Sequence, residues 1–391
     1  MNKTLRLMAE LIKSESLGIP LNDNYNTPIT EEQGVKLYNL SKMHDLCHVV
    51  GSAIQKNKLL SESDKICGKF DDQVFKAIGR YERINHELKN LCEVLENAKI
   101  PFIPLKGSVL RSYYKEPWLR SSCDIDIFVY EKNVDNAIDA LVKELNYKAE
   151  GTFINEKSVF SPSGVHVEMH YLADKSKRTE ICVLDDVWCS AVPVEGKTYQ
   201  RAMSWEYFYL YHIAHMAKHF ESSGCGIRPF LDIIIMNNCL NIDSEKKNEL
   251  LSKYSLSNFA TSAEHLADVW FNGAEHTDLT QKMSEYIVKA GVYGDRENWV
   301  TVQQMKNGHG GKRHVLRRLW VPYEDLKVIY PSLEGKKWLI PLYQIRKWFR
   351  IFKSGALKRG LKEIKISSAV TDEKKQETKN MFIELGLNVK K

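Results

Sequence analysis

The feature that most constrains this fold is a pair of aspartates, Asp124 and Asp126, at the start of an apolar run that continues to Tyr130. Aspartate is depleted in β-strands, so two of them at the mouth of a strand need a local reason. Side chains alternate between the two faces of a strand, which places both carboxylates on one face. Two neighbouring carboxylates repel each other, and a bound cation removes that repulsion. Oxygen ligands of this kind favour Mg²⁺, which also binds phosphate oxygens.

A glycine-serine turn precedes the acidic pair. The apolar run 100–105 ends in Lys106, Gly107 and Ser108, and a helix-like stretch follows. A turn that opens a helix offers backbone N–H groups to a phosphate. Lys106 and Arg120 flank the motif, and each either offsets charge on a triphosphate or forms an ordinary ion pair. A metal site beside a phosphate cradle indicates phosphoryl or nucleotidyl chemistry.

A third carboxylate lies in segment 165–170, where strict alternation puts His166, Glu168 and His170 on one face. Glu168 either completes a metal site with three carboxylates or belongs to the solvent-facing side of an edge strand. The two histidines are interpreted as lining a cleft or facing water, with metal ligation as the other option.

The hydrophobic pattern divides the chain into three parts. We predict a helical region at 1–97, an α/β core at 98–200 and a mainly helical region at 201–391, which together make an α+β protein. The strands expected in the core are 100–105, 124–130, 152–161, 164–171 and 193–199.

Bulk properties exclude several classes of protein. The eight cysteines are scattered without a Cys-x-x-Cys pair, which argues against a zinc ribbon or a disulfide scaffold. The N-terminus lacks the apolar core of a signal peptide, and no stretch approaches the roughly 18 apolar residues that span a bilayer. We therefore expect a cytoplasmic protein. The net charge of +6 permits contact with nucleic acid without requiring it.

Further candidate residues lie in a segment with helical periodicity. His212, His215 and His219 have i, i+3, i+7 spacing on one helical stripe. They line the cleft, form structural hydrogen bonds or bind zinc, and the sequence leaves these options open. Arg228 and Asp232, one turn apart, form either a capping ion pair or a substrate contact. We group His215, His219, Arg228 and Asp232 as candidate cleft-lining residues.

The C-terminal part contains a basic aromatic segment at 336–353. Such a segment either touches a membrane surface or nucleic acid, or it is a docked helix whose basic face is solvated. We favour the docked helix.

The run LKGSVLRSYYKEPWLRSSCDIDIFV at 105–129 resembles the signature of uncharacterised bacterial nucleotidyltransferases in the DNA polymerase β-like superfamily. The VEMH segment at 167–170 resembles the strand that carries their third carboxylate. Segment 209–235 resembles their helical His-x-x-x-His segment with a following Arg and Asp. The likeness covers about 98 to 240, with weaker features to about 350. This chain departs from the pattern at Cys123, where serine is usual, and in the long gap between Gly107 and Asp124.

The resemblance implies a small mixed-sheet nucleotidyltransferase core of the polymerase β-like type, flanked by helical regions. It implies transfer of a nucleoside monophosphate from a nucleoside triphosphate to an unidentified acceptor hydroxyl, with release of pyrophosphate. The alternative is a non-catalytic nucleotide-binding module on the same fold. The implied cofactor is Mg²⁺, as one or two ions, with Mn²⁺ as a substitute. The implied metal-binding and catalytic residues are Asp124, Asp126 and Glu168, and the implied nucleotide-binding residues are Lys106, Gly107, Ser108 and Arg120.

Overall fold

The computed structural model describes residues 2–153, 155–172, 179–307, 320–323, 326–327, 330–353, 366 and 369–387. The chain forms two compact units: the first combines Met1–Lys218 with Gly226–Gln281, and the second combines His219–Cys225 with Lys282–Lys391. The three-part division at residues 97 and 200 stays a prediction, because compactness does not show which segments fold alone.

The elements are numbered in chain order within the described residues. The α-helices are α1 (Lys3–Leu17), α2 (Glu31–Met43), α3 (Cys47–Asn57), α4 (Lys65–Asn97), α5 (Gly107–Leu110), α6 (Val134–Leu145), α7 (Thr179–Asp185), α8 (Val187–Ser190), α9 (Trp205–Phe220), α10 (Arg228–Cys239), α11 (Ser244–Lys253), α12 (Ser257–Phe271), α13 (Asp278–Ala290), α14 (Arg296–Asn307), α15 (Ile340–Lys353) and α16 (Asp372–Glu384). The strands are β1 (Phe102–Pro104), β2 (Asp124–Val129), β3 (Lys148–Phe153), β4 (Glu156–Phe160), β5 (His166–His170), β6 (Ala191–Pro193) and β7 (Arg201–Met203).

A five-stranded sheet in the order β1-β2-β5-β4-β3 forms the centre of the first unit. β2 and β5 are parallel, and the other neighbouring pairs are antiparallel. Strands β6 and β7 form a separate antiparallel pair. The predicted α+β class, with a mixed sheet and helical flanks, is confirmed. Because β2 is hydrogen-bonded along both edges, the acidic pair at its start sits on a fixed backbone.

One face of β2 belongs to the main core. Ile125, Ile127 and Val129 are fully buried and share a cluster with Leu91 of α4 and Leu141 of α6. Each such side chain contributes about 1.5–3 kcal/mol by leaving water. This apolar face anchors the strand between the two helices, so the alternate positions that carry the aspartates point away from the core.

The predicted strand 152–161 is wrong, because the structure divides it. β3 ends at Phe153 and β4 begins at Glu156, and the two pair as a tight hairpin. Between these two strands Asn155 is the only residue that favours a turn. The sequence has no glycine or proline at these positions, although one of them marks most hairpins. The predicted strand 193–199 is also misplaced. Gly196, with a φ of 70°, lies in the turn between β6 and β7.

In the second unit, α14 packs against α16. The buried ring of Phe382 lies 5.8 Å from that of Phe220 and 6.2 Å from that of Tyr286. Across the described residues of the whole chain, no helix has the length and apolar character needed to cross a bilayer.

Candidate functional site

The register between β2 and β5 brings acidic residues side by side. Asp126 lies directly opposite Glu168, and Asp124 lies opposite His166. Adjacent strands are about 4.8 Å apart, and residues in register point to the same face. The carboxylates of Asp126 and Glu168 are therefore neighbours. The other edge of β5 pairs with β4. β5 is therefore an interior strand and not an edge strand, and Glu168 faces the same site as the aspartates.

Three side chains converge closely enough to share a metal ion. One ligand atom each from Asp126, Glu168 and His170 lie within 4.8 Å of one another, and no other such group occurs among the described residues. His170 Nε2 is 2.8 Å from Asp126 Oδ1 and 3.4 Å from Glu168 Oε2. His166 Nδ1 is 3.7 Å from Glu168 Oε1. The cluster combines carboxylate oxygens with an imidazole nitrogen.

Cations neutralise the central acid of this cluster. Lys106 donates a hydrogen bond of 2.8 Å from Nζ to Asp126 Oδ1. Burial disfavours the charge of Asp126, but Lys106 and His170 outweigh it and hold its pKa well below the ordinary value. Burial also opposes protonation of His170, yet its hydrogen bonds to Asp126 and Glu168 raise its pKa to about 9. Asp126 therefore has its charge balanced by the chain itself.

Asp124 is less well compensated, since Lys106 and His166 lower its pKa only in part. It shares a face with Asp126 by strand alternation, but no described residue donates a hydrogen bond to it or forms an ion pair with it. Burial, and then repulsion from Asp126, raise its pKa to about 6. The predicted metal set was Asp124, Asp126 and Glu168. The structure groups the latter two with His170 and leaves Asp124 beside them without a hydrogen bond or ion pair to a described cation.

The predicted phosphate turn has a constrained backbone. Lys106 has a φ of 49° and a ψ of −122°, an uncommon conformation for a residue with a side chain. Its carbonyl accepts hydrogen bonds from Val109 and Leu110, which begins the short helix α5 at Gly107. Ser108 lines a cavity of about 250 Å³ whose lining includes none of the three acids. The turn thus directs Lys106 to Asp126, while Ser108 lies at a separate cavity.

Arg120 and Asp232 pair with each other. Arg120 Nε and Nη2 donate to Asp232 Oδ1 at 2.8 Å and to Oδ2 at 2.9 Å, which is a bidentate ion pair. Tyr114 adds a hydrogen bond of 2.6 Å to Oδ1. Burial disfavours the charge of Asp232, but Arg120 keeps its pKa below the ordinary value. The pair joins the loop before β2 to α10, and the Arg120 charge is already balanced there.

Arg111 is a cation that the sequence interpretation passed over. It is 5 % exposed, and it donates from Nε to the Gly107 carbonyl and from Nη2 to Ser122 Oγ, both at 2.8 Å. No described carboxylate lies within ion-pair distance of it. Burial lowers its pKa to about 10, so it stays charged at neutral pH. The available signal was its position four residues after Gly107, because residues i and i+4 are neighbours on a helix.

The three histidines of α9 have separate surroundings. His212 is half-buried, and its Nε2–H donates to the Pro229 carbonyl at 2.9 Å, which is a structural hydrogen bond. His215 Nδ1 lies 2.8 Å from Glu180 Oε1. His219 is exposed at the end of the helix. No metal-ligand group that includes these histidines occurs among the described residues.

Arg228 does not pair with Asp232, although the two lie one turn apart on α10. Its Nη2 contacts Asp45 Oδ2 at 2.5 Å and the Asp45 carbonyl at 3.1 Å. Arg228 thus ties the start of α10 to the loop between α2 and α3.

One family of known proteins matches the region of the chain that contains this site. The profile of a family described as uncharacterised nucleotidyltransferase matches residues 31–272, more than half of the chain. The matched region begins with α2 and includes every acid of the site, so it reaches further toward the N-terminus than the resemblance suggested and ends well before residue 350. No curated protein and no solved structure gives a significant match. The chain belongs to the uncharacterised nucleotidyltransferase family.

Proposed function

We propose that this protein transfers a nucleoside monophosphate from a nucleoside triphosphate to an acceptor hydroxyl in a Mg²⁺-dependent reaction. In this reaction the acceptor oxygen bonds to the α-phosphorus, and the bond to pyrophosphate breaks. Family membership supports the general activity. The metal, the acceptor and the residue roles are our inference.

The observation that carries the proposal is a weakly compensated Asp124, which has no hydrogen-bonded cation among the described residues, beside a neutralised Asp126. Three carboxylates lie on one face of two paired strands, and the hydrogen bonds from Lys106 and His170 both go to Asp126. Asp124 is half-buried and repelled by Asp126, and a divalent ion bound to both carboxylates would remove that repulsion. The carboxylate oxygens fit Mg²⁺, which prefers oxygen ligands and retains several waters, and Mn²⁺ takes the same ligands.

Asp124, Asp126 and Glu168 would hold the metal. When bound, Mg²⁺ neutralises charge on the phosphate oxygens and lowers the pKa of the attacking hydroxyl. The chain itself supplies positioning: the β2–β5 register fixes Asp126 opposite Glu168, and Lys106 orients the Asp126 carboxylate through its hydrogen bond to Oδ1. In phosphoryl chemistry such positioning and electrostatics carry most of the rate.

A second candidate is a nucleotide-binding module without turnover. The observation in its favour is the Lys106–Asp126–His170 network, which satisfies Asp126 without any metal ion. The experiment below separates the two candidates.

Nucleotide binding should stabilise the protein only when a divalent ion is present. We expect each effective triphosphate to raise the free energy of unfolding by about 2.7 kcal/mol at a concentration one hundred times its dissociation constant. Thermal shift with ATP, CTP, GTP and UTP, with and without Mg²⁺, measures this effect. The same mixtures, labelled at the α-phosphate and supplied with sugars, lipid-linked alcohols, proteins or RNA, are then assayed for pyrophosphate.

Pyrophosphate release with label on an acceptor, or on the protein itself, supports transfer. Saturable, Mg²⁺-dependent binding without release across these acceptors favours the binding module. Absence of stabilisation by every triphosphate contradicts both candidates.

Arg111 is the residue that we expect to hold the terminal phosphates. Lys106 and Arg120 already pair with carboxylates, whereas Arg111 uses only neutral acceptors and lies beside Gly107. Arg111→Met should weaken triphosphate binding about tenfold to a hundredfold and leave nucleoside monophosphate binding unchanged, because a charge-assisted hydrogen bond to phosphate is lost. Calorimetric titration of both ligands with Mg²⁺ measures the difference.

Arg83→Met is the matched control, since Arg83 is exposed on α4 and the change in net charge is identical. Arg111→Lys keeps the charge without the planar fork, so it should recover part of the affinity. Equal weakening of monophosphate and triphosphate binding by Arg111→Met would instead assign Arg111 a structural role.

A further inference from the structure

Helix α15 has polar side chains on its buried side and aliphatic side chains on its exposed side. Gln344 and Lys347 are 1 % and 6 % exposed, whereas Leu342 and Ile345 on the same helix are 60 % and 54 % exposed. The buried Gln344 side chain is held by two hydrogen bonds. It accepts one from the Val321 N–H at 3.4 Å and donates one to the Val321 carbonyl at 2.6 Å. Polar contacts hold the helix in place, and aliphatic side chains are left outside.

The exposed aliphatic residues belong to a longer apolar stripe. Leu342 and Ile345 are three residues apart and therefore neighbours on the helix surface. Trp338, in the 3₁₀ turn directly before α15, is 78 % exposed. Single exposed apolar side chains are ordinary on a protein surface, but a contiguous group with tryptophan marks an interaction site. We call Trp338, Leu342 and Ile345 the α15 stripe.

The stripe lies in a strongly basic segment. Residues 336–353 contain six lysines or arginines and no aspartate or glutamate, so this segment alone equals the net charge of +6 of the whole chain. Lys336, Lys337 and Arg346 are exposed. Lys337 and Arg346 also lie over the rings of tyrosines at 5.3 Å and 5.7 Å, which holds the two cations in position.

We propose that the α15 stripe and its basic flank dock this protein on the surface of an anionic lipid bilayer. A helix that lies in a membrane interface has apolar residues with tryptophan on one face and lysine or arginine around them, which is the arrangement seen here. The aliphatic side chains enter the region of the acyl chains, and the cations contact the lipid headgroups.

Other occupants fit these observations less well. Single-stranded nucleic acid stacks successive bases on aromatic side chains, and Trp338 is the only ring among the three stripe residues. A second copy of the chain would bring the same basic segment against itself, and like charges oppose that contact. Anionic lipid matches the apolar and the cationic parts together.

The test is co-sedimentation of the full chain with vesicles of phosphatidylcholine alone or mixed with phosphatidylglycerol. We expect binding to the mixed vesicles at least about tenfold tighter than to phosphatidylcholine, and weaker binding as salt rises. The double variant Leu342→Ser/Ile345→Ser should lose at least about tenfold in affinity, because two apolar side chains no longer leave water. Lys336→Glu/Lys337→Glu should lose as much, because the attraction to the headgroups is reversed.

Phe75→Ser is the matched control, since Phe75 is 79 % exposed on α4 and lies outside the stripe. It should leave vesicle binding unchanged. Because all the altered side chains are exposed, the variants keep their folded core, and Trp338→Ser gives an independent variant of the stripe.

Three results would overturn the proposal. The first is wild-type protein that does not sediment with phosphatidylglycerol vesicles. The second is tighter binding to single-stranded RNA than to vesicles, lost in the lysine variant but not in the Leu342/Ile345 variant. The third is a dimer that Leu342→Ser/Ile345→Ser converts to monomer.

Discussion

Asp124→Asn should lower the rate of nucleotidyl transfer at least about a thousand-fold, which corresponds to about 4 kcal/mol of activation free energy. The same substitution should leave the metal-free stability unchanged or increase it. Asp124 accepts no hydrogen bond from the described residues. The neutral side chain removes the burial cost and the repulsion from Asp126, which together outweigh the attraction of Lys106 and His166. Pyrophosphate release and urea unfolding without metal measure the two effects.

Asp124 is a better position for this test than Asp126. Asp126 holds both Lys106 and His170, so Asp126→Asn would leave the half-buried Lys106 ammonium without its carboxylate and would destabilise the fold. A loss of transfer in Asp126→Asn would come either from the lost metal ligand or from the destabilised fold. In Asp124→Asn it would come from the lost metal ligand alone.

Asp139→Asn on α6 serves as the matched control, because Asp139 is exposed and the change in charge is the same. It should transfer at the wild-type rate. Mg²⁺-dependent stabilisation by nucleotide should disappear in Asp124→Asn and persist in the control. Transfer by Asp124→Asn within a few-fold of the wild-type rate would contradict the proposed centre.

Local pattern was sufficient to predict which acidic residues share a face of the strands. The alternation of Asp124, Ile125 and Asp126 predicts which face each side chain occupies, and the same period places Glu168 with His170. The mixed sheet and the family are confirmed. The catalytic and binding roles stay predictions, since they depend on ligands and rates.

Pairings between distant segments could not be predicted in this way. Arg228 and Asp232 have the i, i+4 spacing that favours an ion pair on an isolated helix. In the folded chain Arg228 pairs with Asp45 and Asp232 pairs with Arg120, because the packing of α10 brings these residues close together. For the same reason, the sequence does not distinguish Arg120, which has a carboxylate partner, from Arg111, which has none among the described residues. The partner of Arg120 is Asp232, more than one hundred residues further along the chain.

Asp232→Asn should lower the free energy of unfolding by about 3 kcal/mol or more. Asp232 is fully buried, and its carboxylate accepts two hydrogen bonds from Arg120 and one from Tyr114. Asparagine has nearly the same shape, so the substitution removes the negative charge and leaves the Arg120 guanidinium buried without its counter-ion. Urea unfolding of the variant and the wild-type protein, followed by circular dichroism, measures the difference.

Asp45→Asn provides the comparison, because it removes the same charge from the more exposed pair with Arg228. We expect it to cost about 1 kcal/mol or less, since water screens that pair better. The double variant Arg120→Met/Asp232→Leu should recover most of the stability lost in Asp232→Asn, because no buried charge remains unpaired. Equal costs for Asp232→Asn and Asp45→Asn would contradict a structural role for the Arg120–Asp232 pair. Arg120 would then again be a candidate for contact with the triphosphate.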